Sequence, residues 1–249
     1  MHILLANDDG IHAAGIHALC RQARQEGHRV SICAPDRERS AASHGISLTR
    51  SLHPEKMAIP GAERAWSLDG TPADCARMGL FLCQTDPVDM VISGVNRGPN
   101  LGGACVYSGT VASALEASMS GVPALAVSLC INGDGSEDYL PATRLALRVA
   151  NWMSAHPLPR GAIYSLNVPA LPYERIRGVV AAKLAPLYLD EPNYRMTDEG
   201  YRYADGLFPT MDDPEYDINR IAEGFATLTS LTWNMCLETH EPETGDLQI

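Results

Sequence analysis

The sequence predicts a doubly wound α/β fold, with helices on both faces of a mostly parallel sheet. Short apolar runs, typical of buried strands, alternate with stretches of helical periodicity along most of the chain. The first such unit has strands at residues 2–7 and 29–34 and a helix at 12–26, with Gly27 as its stop signal. Because parallel neighbours need a long crossover, this unit indicates a parallel sheet with right-handed connections.

The same alternation continues to about residue 183, which favours a Rossmann-like sheet. Thr71 and Pro72 form an N-cap followed by a proline at the first helical position, so we expect a helix that reaches about Cys83. Residues 94–109 are rich in glycine and asparagine and are predicted to form a loop. The other predicted strands lie within 51–69 and at 88–93, 123–129, 162–168, 178–182 and 226–231, and the other predicted helices lie at 110–120 and 138–155.

We expect a single domain over residues 1–249, with residues 1–183 as its core. Residues 184–223 differ from the core, because tyrosine and proline alternate there with acidic residues and no helical period is present. The alternation at 201–203 predicts an extended β-arm, and its aromatic side chains favour contact with a second copy of the chain. Packing of the arm on its own core is the alternative. Residues 224–249 are predicted to form a final strand and a disordered acidic tail.

Composition restricts the location and the partners of the protein. The formal net charge is -11, which argues against a nucleic-acid duplex as partner. The 7 cysteines are scattered without CxxC spacing, so we expect reduced thiols rather than zinc ligands or a disulfide framework. No signal-peptide pattern is present, and no apolar run approaches the roughly 18 residues of a membrane span. These features predict a soluble, cytoplasmic protein with no membrane partner.

Polar clusters follow three of the predicted strands, at the edge where open parallel sheets bind ligands. The clusters are residues 7–10, residues 36–40 and residues 94–100. If these strands are neighbours, Asp8 and Asp9 converge with an oxygen of the second cluster and with Asn96 or Asn100. Such an all-oxygen set suits Mg²⁺, Mn²⁺ or Ca²⁺ rather than zinc or copper. For the two aspartates alone, a solvated turn is the alternative.

A fourth cluster, residues 107–110, opens a predicted helix with two hydroxyl groups. Backbone N–H groups at a helix N-terminus can bind phosphate, although simple capping is the commoner use of such hydroxyls. A cation beside a phosphate site is an arrangement for phosphoryl transfer, to which Arg37 and Arg39 would add positive charge. His12 and His44 lie beside the site in the sequence, and solvated loop positions are the simpler interpretation of both. The chain has neither GxxxxGK[ST] nor GxGxxG, which disfavours a P-loop or dinucleotide site.

Taken together, these segments resemble the SurE family of survival proteins, which are metal-dependent 5′/3′-nucleotidases. The resemblance extends from residue 1 to about residue 232. It is carried by ILLANDDGI at 3–11, APDR at 34–37, RS at 39–40, GTPADC at 70–75, SGVN at 93–96, GPNLG at 98–102 and YSGTVA at 107–112.

The resemblance implies one divalent cation per subunit, held by oxygen ligands from three of the polar clusters. We expect Mg²⁺ or Mn²⁺, and Ca²⁺ is a further ion that can occupy such a site. The implied ligands are Asp8, Asp9, Ser40 and Asn96.

The resemblance also implies phosphate contacts from Ser108, Gly109 and Thr110, and we add Asn7 and Arg39 to the predicted phosphate-binding residues. It further implies a homodimer in which C-terminal β-arms are exchanged, with a tetramer left open. The arm at 184–223 fits that expectation.

The chain departs from the family pattern at a few positions. It has Ala14 where proline is common, Ala41 where glycine is common, and Thr-Ser-Leu at 229–231 where Thr-Pro-Leu is usual. Because Ala41 adjoins the predicted ligand Ser40, we expect a local difference in that loop. None of these changes removes a predicted ligand.

The predicted function is hydrolysis of nucleoside 5′-monophosphates, and of 3′-monophosphates as a further substrate class, by a metal-dependent phosphomonoesterase. Asp8, Asp9 and Asn96 are the predicted catalytic group, with Asp8 or Asp9 accepting a proton from the attacking water. An aspartyl-phosphate is less favoured, because the carboxylates are adjacent and both lysines, Lys56 and Lys183, lie outside the clusters. The alternatives are a nucleotide-binding or sensing module without turnover and, less favoured, a sugar-nucleotide transferase.

Overall fold

The computed structural model describes residues 1–131, 137–186, 194–203 and 211–235. The described residues form a nine-stranded sheet with helices on both faces and a separate two-stranded hairpin. This arrangement confirms the predicted doubly wound, mostly parallel α/β fold. Among the described residues, no helix combines the length and the hydropathy needed to span a bilayer.

The strands are β1 (His2–Ala6), β2 (Arg29–Pro35), β3 (Pro54–Lys56), β4 (Arg64–Leu68), β5 (Met90–Arg97), β6 (Ala124–Leu129), β7 (Ala162–Val168), β8 (Val179–Ala181), β9 (Tyr194–Thr197), β10 (Gly200–Tyr203) and β11 (Ala226–Thr232). The α-helices are α1 (Ala14–Gln25), α2 (Pro72–Leu82), α3 (Gly109–Met119), α4 (Leu140–Met153) and α5 (Asp217–Ala222). Short 3-10 helices span Gly102–Val106 and Tyr173–Arg175.

The order of strands in the large sheet is β3-β4-β2-β1-β5-β6-β7-β11-β8. The six strands from β4 to β7 are parallel, whereas β3 and β11 run antiparallel to their inner neighbours. The chain therefore proceeds outward from β1 in both directions, first through β2 and β4 and then through β5, β6 and β7. The point where the order reverses lies between β1 and β5, and such points bind ligands in open α/β sheets.

The sheet separates two apolar layers. Along β1, Ile3 and Leu5 face the layer made with α1 and α4, and Leu4 faces the layer made with α2 and α3. This alternation follows from the two-residue period of a strand. All three side chains are 0% exposed, and full burial of a side chain of this size contributes roughly 1.5–3 kcal/mol. The N-terminal strand is thus held from both faces, which fixes the position of the residues that follow it.

Two predicted boundaries in the middle of the chain were wrong. Strand β5 does not end at Ser93 but continues to Arg97, passing a register shift against β6 between Ser93 and Asn96. The predicted loop at 94–109 also contains the 3-10 helix Gly102–Val106. Gly94 can adopt the irregular backbone of a strand that is interrupted in this way. In the sequence, the same glycine indicated a loop.

The arm region is partly strand and partly helix. Strands β9 and β10 pair as an antiparallel hairpin with Tyr201 opposite Met196, which is the extended structure predicted from the alternating tyrosines. The six-residue helix Asp217–Ala222, however, lies inside the stretch predicted to have no helix. A helix of under two turns shows little periodicity in sequence. The predicted acidic tail, which follows Thr239, lies outside the described residues.

Candidate active site

The acidic corner after β1 is a closed turn. Asn7 is 0% exposed, and its side-chain amide donates to the carbonyl oxygen of Gly10 (2.9 Å) and accepts from the Gly10 N–H (3.2 Å). Gly10 has φ 101, and a Cβ there would lie 3.1 Å from the carbonyl carbon of Arg37. Only glycine combines this conformation with that approach. Asn7 therefore shapes the turn, and its predicted contact with phosphate stays a prediction.

Asp8 is buried against the start of α3. The Thr110 hydroxyl donates to Asp8 Oδ1 (2.5 Å) and the Thr110 N–H to Oδ2 (3.2 Å). A Cβ on Gly109 would lie 2.8 Å from Asp8 Cβ and 2.8 Å from Pro72 Cγ, so the helix can approach this closely only with glycine at that position. Burial raises the pKa of Asp8 above its ordinary value even though these hydrogen bonds lower it.

Asp9 is less buried than Asp8 and faces the end of β5. Its Oδ2 accepts a hydrogen bond from the backbone N–H of Arg97 (3.1 Å). Burial and, next, repulsion from the Asp8 carboxylate raise the pKa of Asp9 to about 6. The charge of Glu38 acts in the same direction on both aspartates. The negative charges of Asp8 and Glu38 therefore both act on Asp9.

Ser40 lies in the loop after β2, which reaches the acidic corner. The backbone N–H of Arg39 donates to the carbonyl oxygen of Asp8 (2.7 Å), so the position before Ser40 is fixed to the corner. The exposed Ser40 hydroxyl donates to Glu38 Oε1 (2.6 Å). On the other side, Ser43 is fixed to the chain before α3 by its N–H on Tyr107 O (3.0 Å) and by its hydroxyl on Val106 O (2.8 Å).

The guanidinium group of Arg39 points to the outer rim of the site. It donates to Asp36 Oδ1 (3.2 Å) and to the carbonyl oxygen of Asp69 (3.4 Å), at the end of β4. Arg37 is exposed and donates to Asp36 as well. The contact of Arg39 with phosphate stays a prediction, whereas its backbone amide belongs to the acidic corner.

The structure distinguishes between the two asparagines that the sequence left open. Asn96 is partly exposed on the end of β5 and donates its amide N–H to Gly98 O (2.9 Å), so its amide oxygen is the atom it would offer a cation. Asn100 is buried, where it bonds with Asn167 and donates to the Ser128 hydroxyl (2.8 Å). Asn96 lies at the C-terminal end of β5, and Asn100 holds the following loop to the sheet.

Both hydroxyls of the predicted phosphate site have protein partners. Ser108 is the N-cap of α3, and its Oγ accepts from the Val111 N–H (3.1 Å). The Thr110 hydroxyl is bonded to Asp8. Ser108 therefore caps the helix, which is the commoner use of such a hydroxyl. The phosphate contacts of Ser108, Gly109 and Thr110 stay predictions.

Several supports of the site were missed from the sequence. Asp74 completes a capping box with Thr71 and accepts from the N–H (2.9 Å) and the hydroxyl (2.7 Å) of Ser47. Buried Glu116 on α3 lies 2.9 Å from His44 Nε2, which gives His44 a partner rather than the solvated position predicted for it. The Thr-x-x-Asp spacing at 71–74 could have signalled the capping box. The other contacts join distant positions that no local pattern connects.

The donor atoms at this edge are oxygens, which fit a hard divalent cation. Across the described parts of the chain, no group of three or more His, Cys, Asp or Glu side chains is arranged to hold a metal ion. A cation beside Asp8 and Asp9 would therefore take other ligands from residues such as Ser40 and Asn96. Burial raises the pKa of both aspartates, and the charge of Asp8 adds to the rise at Asp9, so a cation bound there would favour the ionised carboxylates.

The fold and this edge define an α/β protein with an acidic, oxygen-lined site at the switch point of a parallel sheet. The sequence profile of the family described as survival protein SurE matches residues 3–190. The chain belongs to the SurE family.

Individual relatives agree with this assignment. A 5′-nucleotidase SurE of Synechococcus sp. is 39% identical over 238 residues, covering 93% of this chain and 91% of the relative. A 5′-nucleotidase SurE of Symbiobacterium thermophilum is 43% identical over 233 residues, covering 91% and 90%. The crystal structure of a SurE protein from Aquifex aeolicus is 29% identical, with a TM-score of 0.81 and 96% of both chains covered. The family resemblance found in the sequence is confirmed.

Proposed function

We propose that this chain is a divalent-metal-dependent 5′-nucleotidase, which hydrolyses nucleoside monophosphates to nucleoside and phosphate. The observation that carries the proposal is the adjacent pair at the switch point, with Asp8 buried against the N-terminus of α3 and Asp9 partly buried against the end of β5. Relatives that cover nearly the whole chain bear the name 5′-nucleotidase SurE, which supports the same activity.

We assign the cation to Asp8, Asp9, Ser40 and Asn96, with Mg²⁺ or Mn²⁺ as the working ion and Ca²⁺ as an ion that can occupy the site. When bound, the cation supplies positive charge that neutralises the carboxylates and polarises the phosphate. The carboxylate, hydroxyl and amide oxygens of these four residues match the ligands such ions prefer.

The residues of the chain itself bind the phosphate and transfer the proton. The first turn of α3, at Ser108, Gly109 and Thr110, presents a helix N-terminus to the phosphate, which favours negative charge there. Both oxygens of Asp8 accept from Thr110, so Asp9 is the better proton acceptor of the pair. Its Oδ1 takes the proton of the attacking water, the water oxygen bonds to phosphorus, and the P–O bond to the nucleoside breaks. The leaving oxygen of the nucleoside takes up the proton that Asp9 received, which restores the Asp9 carboxylate.

Asp9→Asn tests this proposal. The substitution removes the charge and the proton acceptor but keeps the size of the side chain, so phosphate release from nucleoside 5′-monophosphates should fall by about 10³-fold or more. The matched control is Asp36→Asn, a rim carboxylate that holds Arg39 and should cost less than about tenfold. Release is measured with Mg²⁺ and with Mn²⁺, alongside circular dichroism.

Two outcomes would contradict the proposal. One is full activity of the Asp9→Asn variant after EDTA treatment. The other is nucleotide binding by the wild-type chain with background phosphate release in every metal, which would indicate a binding module instead.

We also propose that the protein forms a homodimer by exchange of the β-arm, with a tetramer as the larger alternative. The hairpin β9–β10 forms its own two-stranded sheet, and Met196 and Tyr201 on it are 73% exposed. A two-stranded hairpin alone is at best marginally stable in water, which favours its packing on another surface. The scattered cysteines support a cytoplasmic location.

A further inference from the structure

One buried carboxylate, that of Asp217, joins three separate segments of the chain. Asp217 begins α5 and is 0% exposed. Its Oδ2 accepts from the N–H of Gly102 (2.8 Å), and its Oδ1 accepts from the N–H groups of Ala185 (3.1 Å) and Ile218 (2.9 Å). Gly102 begins the 3-10 helix after β5, Ala185 lies at the start of the arm region 184–223, and Ile218 lies in α5 near the end of that region.

Apolar packing reinforces the same junction. Leu101, Ala185 and Ile218 form a small buried cluster of their own, distinct from the two layers against the sheet. The Asp217 N–H donates to the carbonyl oxygen of Lys183 (2.8 Å), and the Lys183 N–H donates to Glu215 O (3.0 Å). The two ends of the arm, at residues 183–185 and 215–218, are thus held to each other and to residues 101–102.

The segment that begins at Gly102 supports two parts of the candidate active site. Its 3-10 helix leads directly into Ser108, the N-cap of the helix that faces Asp8. The carbonyl oxygens of Val106 and Tyr107, at its end, hold Ser43 and thereby the loop of Ser40. A shift of this segment would therefore displace the proposed phosphate site and one proposed metal ligand together.

We propose that Asp217 is a positioning residue of the active site, which fixes the segment 102–108 through the Gly102 amide and couples it to the base of the arm. The inference rests on the proposed function. A charged carboxylate suits this position, because it accepts from three N–H groups and donates to none. It acts from 115 residues away in the sequence and does not touch the substrate.

Asp217→Asn is the test, because asparagine keeps the shape but has a single acceptor oxygen. If that oxygen stays with Ala185 and Ile218, the new NH₂ group faces the Gly102 N–H and the hydrogen bond is lost. We expect inorganic phosphate to bind the Mn²⁺-loaded full-length variant about tenfold more weakly by calorimetry, with a matching rise in KM. Circular dichroism and Mn²⁺ binding report whether the fold and the acidic pair are intact.

Two controls separate positioning from general loss of stability. Leu147→Ala, on the buried face of α4 and away from the arm, should destabilise the fold yet leave phosphate affinity unchanged. Asp213→Asn, at a half-exposed position of the arm base that pairs with Lys183, should change neither property appreciably. If Asp217→Asn fails to fold, Ile218→Ala tests the same junction by removing its apolar contact.

Unchanged phosphate affinity in Asp217→Asn, or an equal loss in Leu147→Ala, would overturn the inference. Failure of the wild-type chain to release phosphate from nucleoside monophosphates would overturn the proposed function, and phosphate binding would still decide the role of Asp217.

Discussion

At the scale of single residues, the loop that carries Ser40 contains backbone in an unfavourable conformation. Ala41 has φ 57 and Ser43 has φ 51, in the left-handed region that favours glycine. This conformation costs an L-residue roughly 1–2 kcal/mol. The expectation that Ala41 would alter the loop has a physical basis here, because a backbone built for glycine carries a Cβ. The hydrogen bonds of Arg39 and Ser43 hold the loop in place nonetheless.

Ala41→Gly should therefore stabilise the protein. Relief of the left-handed strain outweighs the greater backbone entropy that glycine gives the unfolded chain, so the free energy of unfolding should rise by up to about 1 kcal/mol. Urea unfolding measures the change. Ala42→Gly, at the next position, has no left-handed strain to relieve and should destabilise by about 0.5–1 kcal/mol. A loss of stability in Ala41→Gly equal to that in Ala42→Gly would refute the strain argument.

The positions of candidate site residues could be predicted from the sequence where a local pattern carried the information. Asp8 and Asp9 follow an apolar strand directly, so their position at the strand edge could be predicted from periodicity alone. Periodicity could not separate Asn96 from Asn100, because Gly94 hid the continuation of β5 through Asn96 and only tertiary contacts with Asn167 and Ser128 bury Asn100. The contact between Asp8 and Thr110 joins positions 102 residues apart and was not predicted, whereas the phosphate contact predicted for Thr110 stays a prediction.

At the scale of elements, regular strands and helices with several turns were predictable, and short or interrupted ones were not. Strand β7 spans Ala162–Val168 as predicted, because apolar side chains recur through the whole segment and glycine and proline are absent from it. Strand β5 extends past Gly94, but glycine is typical of loops, so the end of the strand was predicted too early. The capping box at the start of α2 confirms the predicted N-cap and first-turn proline. Local chemistry of this kind fixes an element's start, whereas its neighbours decide how far it continues.

Helix α3 links the site to an acid-sensitive ion cluster on its buried side. Glu116 is buried, with His44 Nε2 at 2.9 Å and Arg77 NH1 at 3.1 Å. The hydrogen bond with His44, and then the charge of Arg77, lower the pKa of Glu116 below its ordinary value against the effect of burial. A carboxyl with a lowered folded pKa stabilises the fold above its unfolded pKa of about 4.3, and this contribution is lost as pH falls through the folded value.

Glu116→Gln should accordingly change the acid sensitivity of the fold. At pH 7 we expect the variant to be less stable than the wild type by about 1–2 kcal/mol, because charge-assisted hydrogen bonds are lost. Below pH 4 the difference should shrink, since the wild-type carboxyl then protonates. Urea unfolding between pH 3 and pH 7, in steps of about one pH unit, measures both the stability difference at pH 7 and its decrease below pH 4. Glu26→Gln, exposed at the end of α1, is the control, and a constant difference across the range would contradict the assignment.

At the scale of the whole molecule, the sheet and the arm meet at a defined base. The Nζ atom of Lys183 lies 2.5 Å from Glu215 Oε2, and the backbone of Lys183 bonds to the segment before α5. Both ends of the arm therefore leave the core side by side. The sequence predicted the arm from its composition but not this base, which brings residues 183–185 to residues 215–218. A deletion of the entire arm region would remove Asp217 together with the hairpin, and would confuse loss of association with damage to the site.

The sharper test of arm exchange therefore removes only the outer part. Replacing residues 187–210 with a short Gly–Ser linker keeps Ala185 and Met211, which pack in the cluster at the arm base. Without the hairpin and its exposed Met196 and Tyr201, we expect the mass measured by light scattering to fall to that of one chain. Phe81→Ser removes an exposed aromatic from α2 outside the arm, and should leave the mass unchanged. An unchanged oligomer in the linker variant would rule out arm exchange, whereas a monomer that still releases phosphate would show that association and the acidic site are separable.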